Sequence, residues 1–81
     1  MKVSKENMYN LLDNDGEKNM TVIDTHEWTA DEEEGQELYG VRYTIRANGK
    51  MWSYTVYHSS EWMWCSMDDE PEMITLAEVK E

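Results

Sequence analysis

The chain has 81 residues, and its 18 Asp and Glu outnumber seven Lys and Arg to give a formal net charge of −11. This length fits one domain, and a hydrophobic content of 40% with 11% aromatic residues is too high for a disordered chain. The charge repels nucleic acid and anionic membranes, so we expect no direct nucleic-acid binding and no membrane partner. The expected partner of such a surface is a basic one.

The cysteine content and the hydropathy pattern predict the environment of the protein. Cys65 is the only cysteine, so no internal disulfide can form. No stretch approaches the roughly 18 apolar residues of a membrane span, and no apolar core of a signal peptide is present. We therefore expect one small acidic domain, residues 1–81, that is soluble and cytoplasmic.

The first 28 residues predict a short helix followed by a strand. Ser4 is a favourable N-cap, and Met8, Leu11 and Leu12 follow at helical spacing, which predicts a helix from about Lys5 to Asp13. The polar segment 14–16 then ends the helix. The β-branched segment Met20–Trp28 predicts the first strand.

The segment from Leu38 to His58 predicts a β-hairpin, the clearest element of the chain. Its strands, Leu38–Ala47 and Lys50–His58, are joined by Asn48-Gly49, which is typical of a type I′ turn because both turn positions need a positive φ. A two-residue loop fixes the register, so Ala47 faces Lys50, Ile45 faces Trp52, Tyr43 faces Tyr54 and Val41 faces Val56. The last three pairs share one apolar face, on which the N-terminal helix should pack.

Two acidic segments flank this hairpin, which itself contains no Asp or Glu. Thr29–Glu37 is expected to form an acidic loop, since like-charge runs are usually solvated. Its carboxylates are Asp31, Glu32, Glu33, Glu34 and Glu37. The second acidic segment contains Asp68, Asp69, Glu70 and Glu72.

The C-terminal third predicts one more strand and a helical turn. Glu61–Met67 alternates with Trp62 and Trp64 on one face, while Met63, Cys65 and Met67 share the other face. Two apolar faces are typical of a strand that is covered on both sides, or of one that keeps a face for a partner. Thr75 and Glu78 have capping-box spacing, which predicts a short C-terminal helical turn, although a strand at Met73–Thr75 is equally allowed.

Together these elements predict an α+β fold. We expect a short N-terminal helix packed on a three- to four-stranded antiparallel meander sheet, with a short C-terminal helical turn. The expected strands are Met20–Trp28, Leu38–Ala47, Lys50–His58 and Glu61–Met67.

The sequence contains no motif that predicts an enzyme. The serine-hydrolase, phosphate-loop, dinucleotide-binding and zinc-protease signatures are all missing. Cys65 with His26 or His58 could form a thiol nucleophile and its base, but a free cysteine between two methionines is typical of packing. One cysteine and two separated histidines do not predict a metal site, and we expect neither a cofactor nor catalysis.

The charge distribution favours an inhibitor that imitates nucleic acid. Its carboxylates would take the place of phosphates in a basic groove of a host nucleic-acid-binding protein, with aromatic side chains as anchors. The expected contact residues are Asp31, Glu32, Glu33, Glu34, Glu37, Trp62, Trp64, Asp68, Asp69, Glu70 and Glu72. In size, acidity and aromatic content the whole chain is similar to phage-encoded inhibitors of host defence, such as anti-CRISPR and anti-restriction proteins. That resemblance implies a nuclease or CRISPR effector as partner, and the host-cell cytoplasm as location.

The sequence leaves two alternative functions open. The chain could be an adaptor or subunit domain that docks through Trp62 and Trp64, or through a sheet edge, which could also form a homodimer. The acidic residues could instead be an ordinary solvated surface, since net charge informs solubility more than function.

Overall fold

A computed structural model gives the fold and describes residues 1–33, 36–59 and 63–80. The chain forms, in order, β1 (Lys2–Ser4), α1 (Lys5–Asn14), β2 (Gly16–Glu17), β3 (Met20–Glu33), β4 (Gln36–Ala47), β5 (Lys50–Ser59), β6 (Trp64–Cys65), a 3-10 helix (Ser66–Asp69), β7 (Met73–Thr75) and β8 (Ala77–Glu78). The α+β class is confirmed. All strand pairs are antiparallel, as expected, but the sheet has more strands than the three or four that the sequence predicts.

The main sheet is a meander extended by short strands at both sides. Its order is β2-β3-β4-β5-β6, and β8 also pairs with β5. A separate two-stranded sheet joins β1 to β7, so the two ends of the chain meet. Among the described residues, no helix is long and apolar enough to cross a membrane.

Helix α1 forms where the sequence predicts it. The Ser4 hydroxyl accepts a hydrogen bond from the Asn7 amide at 3.2 Å, which satisfies one of the free amides of the first turn. Asp15 adopts the left-handed conformation and ends the helix at Asn14, one residue beyond the expected end.

The hairpin of β4 and β5 is confirmed in its turn, its register and its buried face. Asn48 and Gly49 both have positive φ, at 54° and 71°. All four predicted cross-strand pairs are present. The indole of Trp52 donates to the carbonyl of Ala47 at 3.1 Å, which ties the strand to the turn.

One hydrophobic cluster joins the helix to the hairpin, as expected. Met8 and Leu11 of α1 are fully buried, and Leu12 packs against the same cluster. The hairpin contributes Ile45, Tyr54 and Val56 to it. The ends of the chain and the 3-10 helix complete the cluster with Val3, Met67, Ile74 and Leu76.

The sequence predicts a loop over Thr29–Glu37, but residues 29–33 and 36–37 belong to strands, and residues 34 and 35 lie outside the described part. β3 continues through Glu33, and β4 begins at Gln36, so the two strands form one long hairpin. The expectation failed because backbone pairing between β3 and β4 outweighs the preference of a like-charge run for a loop. β-bulges interrupt the β3–β4 register between Val22 and Asp24 and between Thr29 and Asp31.

The C-terminal third differs from the prediction in two places. β6 has only two residues, and the chain turns at Ser66 into the 3-10 helix that buries Met67. The expected strand Glu61–Met67 is therefore much shorter, and residues 60–62 lie outside the described part. The expected C-terminal helical turn does not form, and the alternative strand at Met73–Thr75 is confirmed as β7, because Ile74 pairs with Val3 and both side chains are buried.

Candidate interaction surface

The acidic arm, which we define as residues 31–33 and 36–37, is the end of the paired strands β3 and β4. The last β4–β5 pair in this direction joins Tyr39 to His58, whereas β3 and β4 continue with three further pairs. These are Asp31 with Leu38, Glu32 with Glu37, and Glu33 with Gln36. The arm is thus a two-stranded extension beyond the last β4–β5 pair, in a molecule 43 Å long and 28 Å wide.

The arm brings most of the first predicted set of contact residues onto two adjacent strands. The backbones of Asp31, Glu32 and Glu33 lie on β3, and Glu37 lies on β4. Glu34 lies outside the described residues. Since strands rise about 3.3 Å per residue, Asp31, Glu32 and Glu33 are spread along β3, whereas Glu37 lies directly across from Glu32.

The base of the arm is fixed by an aromatic contact. The Tyr39 hydroxyl donates a hydrogen bond to Oε2 of Glu37, whose side chain is exposed. The Tyr39 ring stacks on His58 of β5, with centroids 5.5 Å apart and an interplanar angle of 28°. Glu37 is therefore oriented by contacts that begin within the three-stranded part of the sheet.

The second acidic block, which we define as residues 68–72, is held by the start of α1. Lys5 Nζ donates to the carbonyl oxygens of Asp68 and Glu70, at 2.9 and 3.0 Å. The Lys5 amide donates to the carbonyl of Glu72 at 2.7 Å. The lysine thus binds the backbone of this block and leaves its carboxylates available for other contacts.

Tyr9 also fixes this block. Its hydroxyl, one turn after Lys5, donates to Oδ1 of Asp68. This hydrogen bond to a carboxylate is the largest contribution that raises the pKa of Tyr9, to about 12, because ionising the phenol would remove the donor and set two negative charges together. Asp68 is consequently held by a neutral phenol across the physiological pH range.

The predicted anchor Trp64 is paired with a predicted acidic residue. Its indole Nε1 donates to Oδ2 of Asp69 at 2.8 Å, and 38% of the side chain is exposed. Met63, immediately before it, has a positive φ of 48° and is 91% exposed. The other predicted anchor, Trp62, lies outside the described residues.

The ion pair found in the described part of the chain lies away from these acidic positions. Within the described residues the one ion pair joins Lys50 to Glu78, at 3.6 Å, beside the Asn48-Gly49 turn at the opposite end of the sheet. No described Lys or Arg forms an ion pair with Glu37 or with the acids of the second block. The sequence places no Lys or Arg between residues 19 and 41. The sequence of the arm therefore carries negative charge without a basic residue of its own.

An aromatic group on the exposed sheet face was missed by the sequence reasoning. Trp28 of β3 stacks on His26 and meets Tyr57 of β5 edge-on, with centroid distances of 5.8 and 6.1 Å. Gly40 lies between the two strands and makes room for the indole. Two features indicate this group: His26 and Trp28 alternate along β3, and Gly40 lies opposite Trp28. The second feature can be recognised only once the β3–β4 register is known.

The two residues that the sequence offers as a thiol nucleophile and its base, Cys65 and His58, lie on neighbouring strands. The register places Cys65 opposite His58, and no hydrogen bond joins these two side chains. Within the described part of the chain, no three or more His, Cys, Asp or Glu side chains are grouped to hold a metal ion. Comparison with protein-family models, with curated proteins and with solved structures gives no match to this chain.

Proposed function

We propose that this protein is a small acidic inhibitor that occupies the basic groove of a nucleic-acid-handling protein, such as a nuclease or a CRISPR effector. Its carboxylates take the place of phosphates, and the Lys and Arg side chains of the partner keep their usual role. The inhibitor acts in the cytoplasm, on the partner and not on nucleic acid itself. The observation that carries the proposal is the projecting acidic arm.

The shape and spacing of the arm support this proposal. A two-stranded extension can enter a groove that a compact surface cannot. Asp31, Glu32 and Glu33 are successive residues of β3, so their axial spacing is about 3.3 Å. One strand of B-DNA carries one phosphate per about 3.4 Å of helix axis. Successive side chains of a strand point to opposite faces, so this density counts both faces of the arm, and acidic positions that share one face recur about every 6.6 Å.

The second acidic block supports the proposal through its fixed geometry. Lys5 holds the backbone of this block, and Tyr9 and Trp64 hold the carboxylates of Asp68 and Asp69, so these two carboxylates lose little conformational entropy when a partner binds. No described cation forms an ion pair with these carboxylates, so a basic partner would not have to displace an internal Lys or Arg. Charge steering would then bring a basic partner quickly to this surface.

An adaptor function has one observation in its favour. Met63 and Trp64 are exposed next to each other, and tryptophan is enriched among the residues that dominate binding energy. In that case the acidic residues would serve solubility, and the contact would be apolar.

Affinity capture from a bacterial lysate, followed by elution with duplex DNA, tests the proposal. We expect the captured protein to bind nucleic acid and to be released by DNA. Replacing Glu32, Glu33 and Glu37 with Gln should abolish the capture. The matched control, Asp13→Asn with Glu17→Gln and Glu78→Gln, removes the same charge elsewhere and should preserve it.

Two outcomes of this experiment would contradict the proposal. If the variant with Gln at positions 32, 33 and 37 captures the partner as well as the control variant does, the arm is not the contact surface. If Trp64→Ala abolishes capture while the variant with the three Gln residues retains it, the adaptor function is correct.

A further inference from the structure

The outer edge of β3 is open over a regular stretch of six residues. β2 covers only Met20 and Thr21, and a backbone hydrogen bond from Val22 to Asp15 closes that part of the edge. Beyond the first bulge, the register with β4 is unbroken from Asp24 to Thr29. No described residue forms a backbone hydrogen bond to this stretch from the outer side.

The hairpin turn determines which backbone groups point to that open edge. A two-residue loop closes on a hydrogen-bonded pair, here Ala47 with Lys50, and such pairs alternate along the ladder. Gly40, Arg42 and Thr44 therefore direct their amides and carbonyls toward β3. Their partners on β3 are Trp28, His26 and Asp24, which use their backbone groups to pair with β4. The backbone amides and carbonyls of Thr25, Glu27 and Thr29 therefore point to the open edge.

Independent hydrogen bonds agree with this alternation. The amide of Tyr57 donates to the Ser66 hydroxyl at 2.9 Å, on the outer side of β5. The carbonyl of Met51 accepts from the amide of Val79 at 2.9 Å on the same side. Both residues belong to the set that the alternation directs away from β4.

The charge along the edge determines what can pair with it. Asp24 and Glu27 are exposed, and the acidic arm follows them. A second copy paired antiparallel about Glu27 would place two Glu27 carboxylates opposite each other and join two chains of −11. The charge thus opposes self-pairing and favours an extended segment that carries Lys or Arg.

We propose that the open edge of β3, at Thr25, Glu27 and Thr29, binds an extended basic segment of the partner as an added antiparallel strand. This inference rests on the proposed function and extends it, because the arm would enter the groove while the edge fixes the orientation. Backbone pairing supplies the geometry, and the carboxylates select the basic sequence.

Two synthetic peptides test this inference on the full-length protein. One alternates lysine with threonine, and the other has the same charge but contains proline in place of the central threonines, so it cannot form a continuous strand. We expect the first peptide to bind about tenfold more tightly, since the second one loses backbone hydrogen bonds. Amide exchange at Thr25, Glu27 and Thr29 should become at least about tenfold slower with the first peptide, whereas His26 and Trp28 should change little.

A proline variant of the protein gives a second measurement. Thr25→Pro removes one outward amide and leaves the β3–β4 ladder intact, so the affinity for the first peptide should fall about tenfold. Thr25→Val keeps that amide and should bind normally. Thermal melting of both variants shows whether the sheet is retained.

The other outcomes would overturn the inference. Equal binding of both peptides, with unchanged exchange at Thr25, would reduce the contact to charge alone and leave the proposed function standing. If neither peptide binds, the edge and the preference for basic partners both fail. Protection of the three outward amides in the free protein at high concentration would assign the edge to a second copy of the chain.

Discussion

Trp28 lies directly across Gly40 on the exposed face of the sheet. A Cβ atom built on Gly40 would stand 2.5 Å from both Cε2 and Cζ2 of the indole, well inside van der Waals contact. The same indole contacts His26 and Tyr57. The glycine therefore permits the aromatic group to form over β3, β4 and β5.

We expect Gly40→Ala to displace the Trp28 indole and to lower the free energy of unfolding by about 1 kcal/mol, as lost aromatic contacts would. Chemical denaturation measures this change. In a Trp28→Ala background the same substitution should be neutral or slightly stabilising, because alanine suits a strand better than glycine. An equal cost in both backgrounds would contradict the contact.

Tyr54 carries a buried hydroxyl that has no hydrogen-bond partner among the described residues. The side chain is 8% exposed, so its hydroxyl loses contact with water on folding. Tyr54→Phe removes this polar group and keeps the ring, and should raise the free energy of unfolding by about 1 kcal/mol. A loss of stability in urea denaturation would show that the hydroxyl has a partner.

The same residue gives an alkaline dependence of stability. Burial raises the pKa of Tyr54 from 10.0 to about 12. The unfolded chain then releases this proton at lower pH than the folded protein, so the Tyr54 contribution is complete below pH 10 and is lost as pH rises toward 12. The free energy of unfolding should therefore fall less steeply between about pH 10 and pH 12 in Tyr54→Phe than in the unmodified protein. The fall should not vanish, because Tyr9 and Tyr43 also have raised pKa values.

Two isoleucines on neighbouring strands test the assignment of the core. Ile45 is fully buried, and Ile45→Ala should lower the free energy of unfolding by about 2–5 kcal/mol. Ile23, at the first β3 bulge, is 42% exposed, so Ile23→Ala should cost less than half as much. Similar shifts in thermal melting for both variants would mean that the buried face is assigned incorrectly.

Lys5 links the helix to the second acidic block and provides a separate prediction. Lys5→Met removes two hydrogen bonds to the carbonyls of Asp68 and Glu70. The free energy of unfolding should fall by about 1–3 kcal/mol, because hydrogen bonds from a charged donor are stronger than neutral ones. Faster amide exchange at Glu70 should accompany the loss. Lys2→Met removes the same charge from an exposed site. An equal loss in the free energy of unfolding for Lys2→Met would contradict the role of Lys5.

The parts of the fold that local chemistry determines could be predicted from the sequence. Asn48 and Gly49 fix their turn through positive φ, and the pairing of Ile45 with Trp52 follows from the loop length alone. Ser4 likewise predicted the start of α1 through its cap. In each case the deciding interaction lies within a few residues along the chain.

The parts that distant contacts determine were missed. The capping box of Thr75 and Glu78 predicted a helical turn, but burial of Ile74 against Val3 outweighs a local cap. The like-charge run predicts a loop, but cross-strand pairing extends β3 to Glu33. The bond from Tyr9 to Asp68 spans 59 positions, and no pattern in the sequence indicates it.

The salt dependence of binding to the captured partner tests the central claim most directly. If the carboxylates of the arm replace phosphates, the dissociation constant should rise at least about tenfold between roughly 0.05 and 0.2 M salt, and duplex DNA should compete. The variant with Gln at positions 32, 33 and 37 should show a clearly shallower slope. A dissociation constant that stays unchanged over this range, with no competition by DNA, would contradict nucleic-acid mimicry.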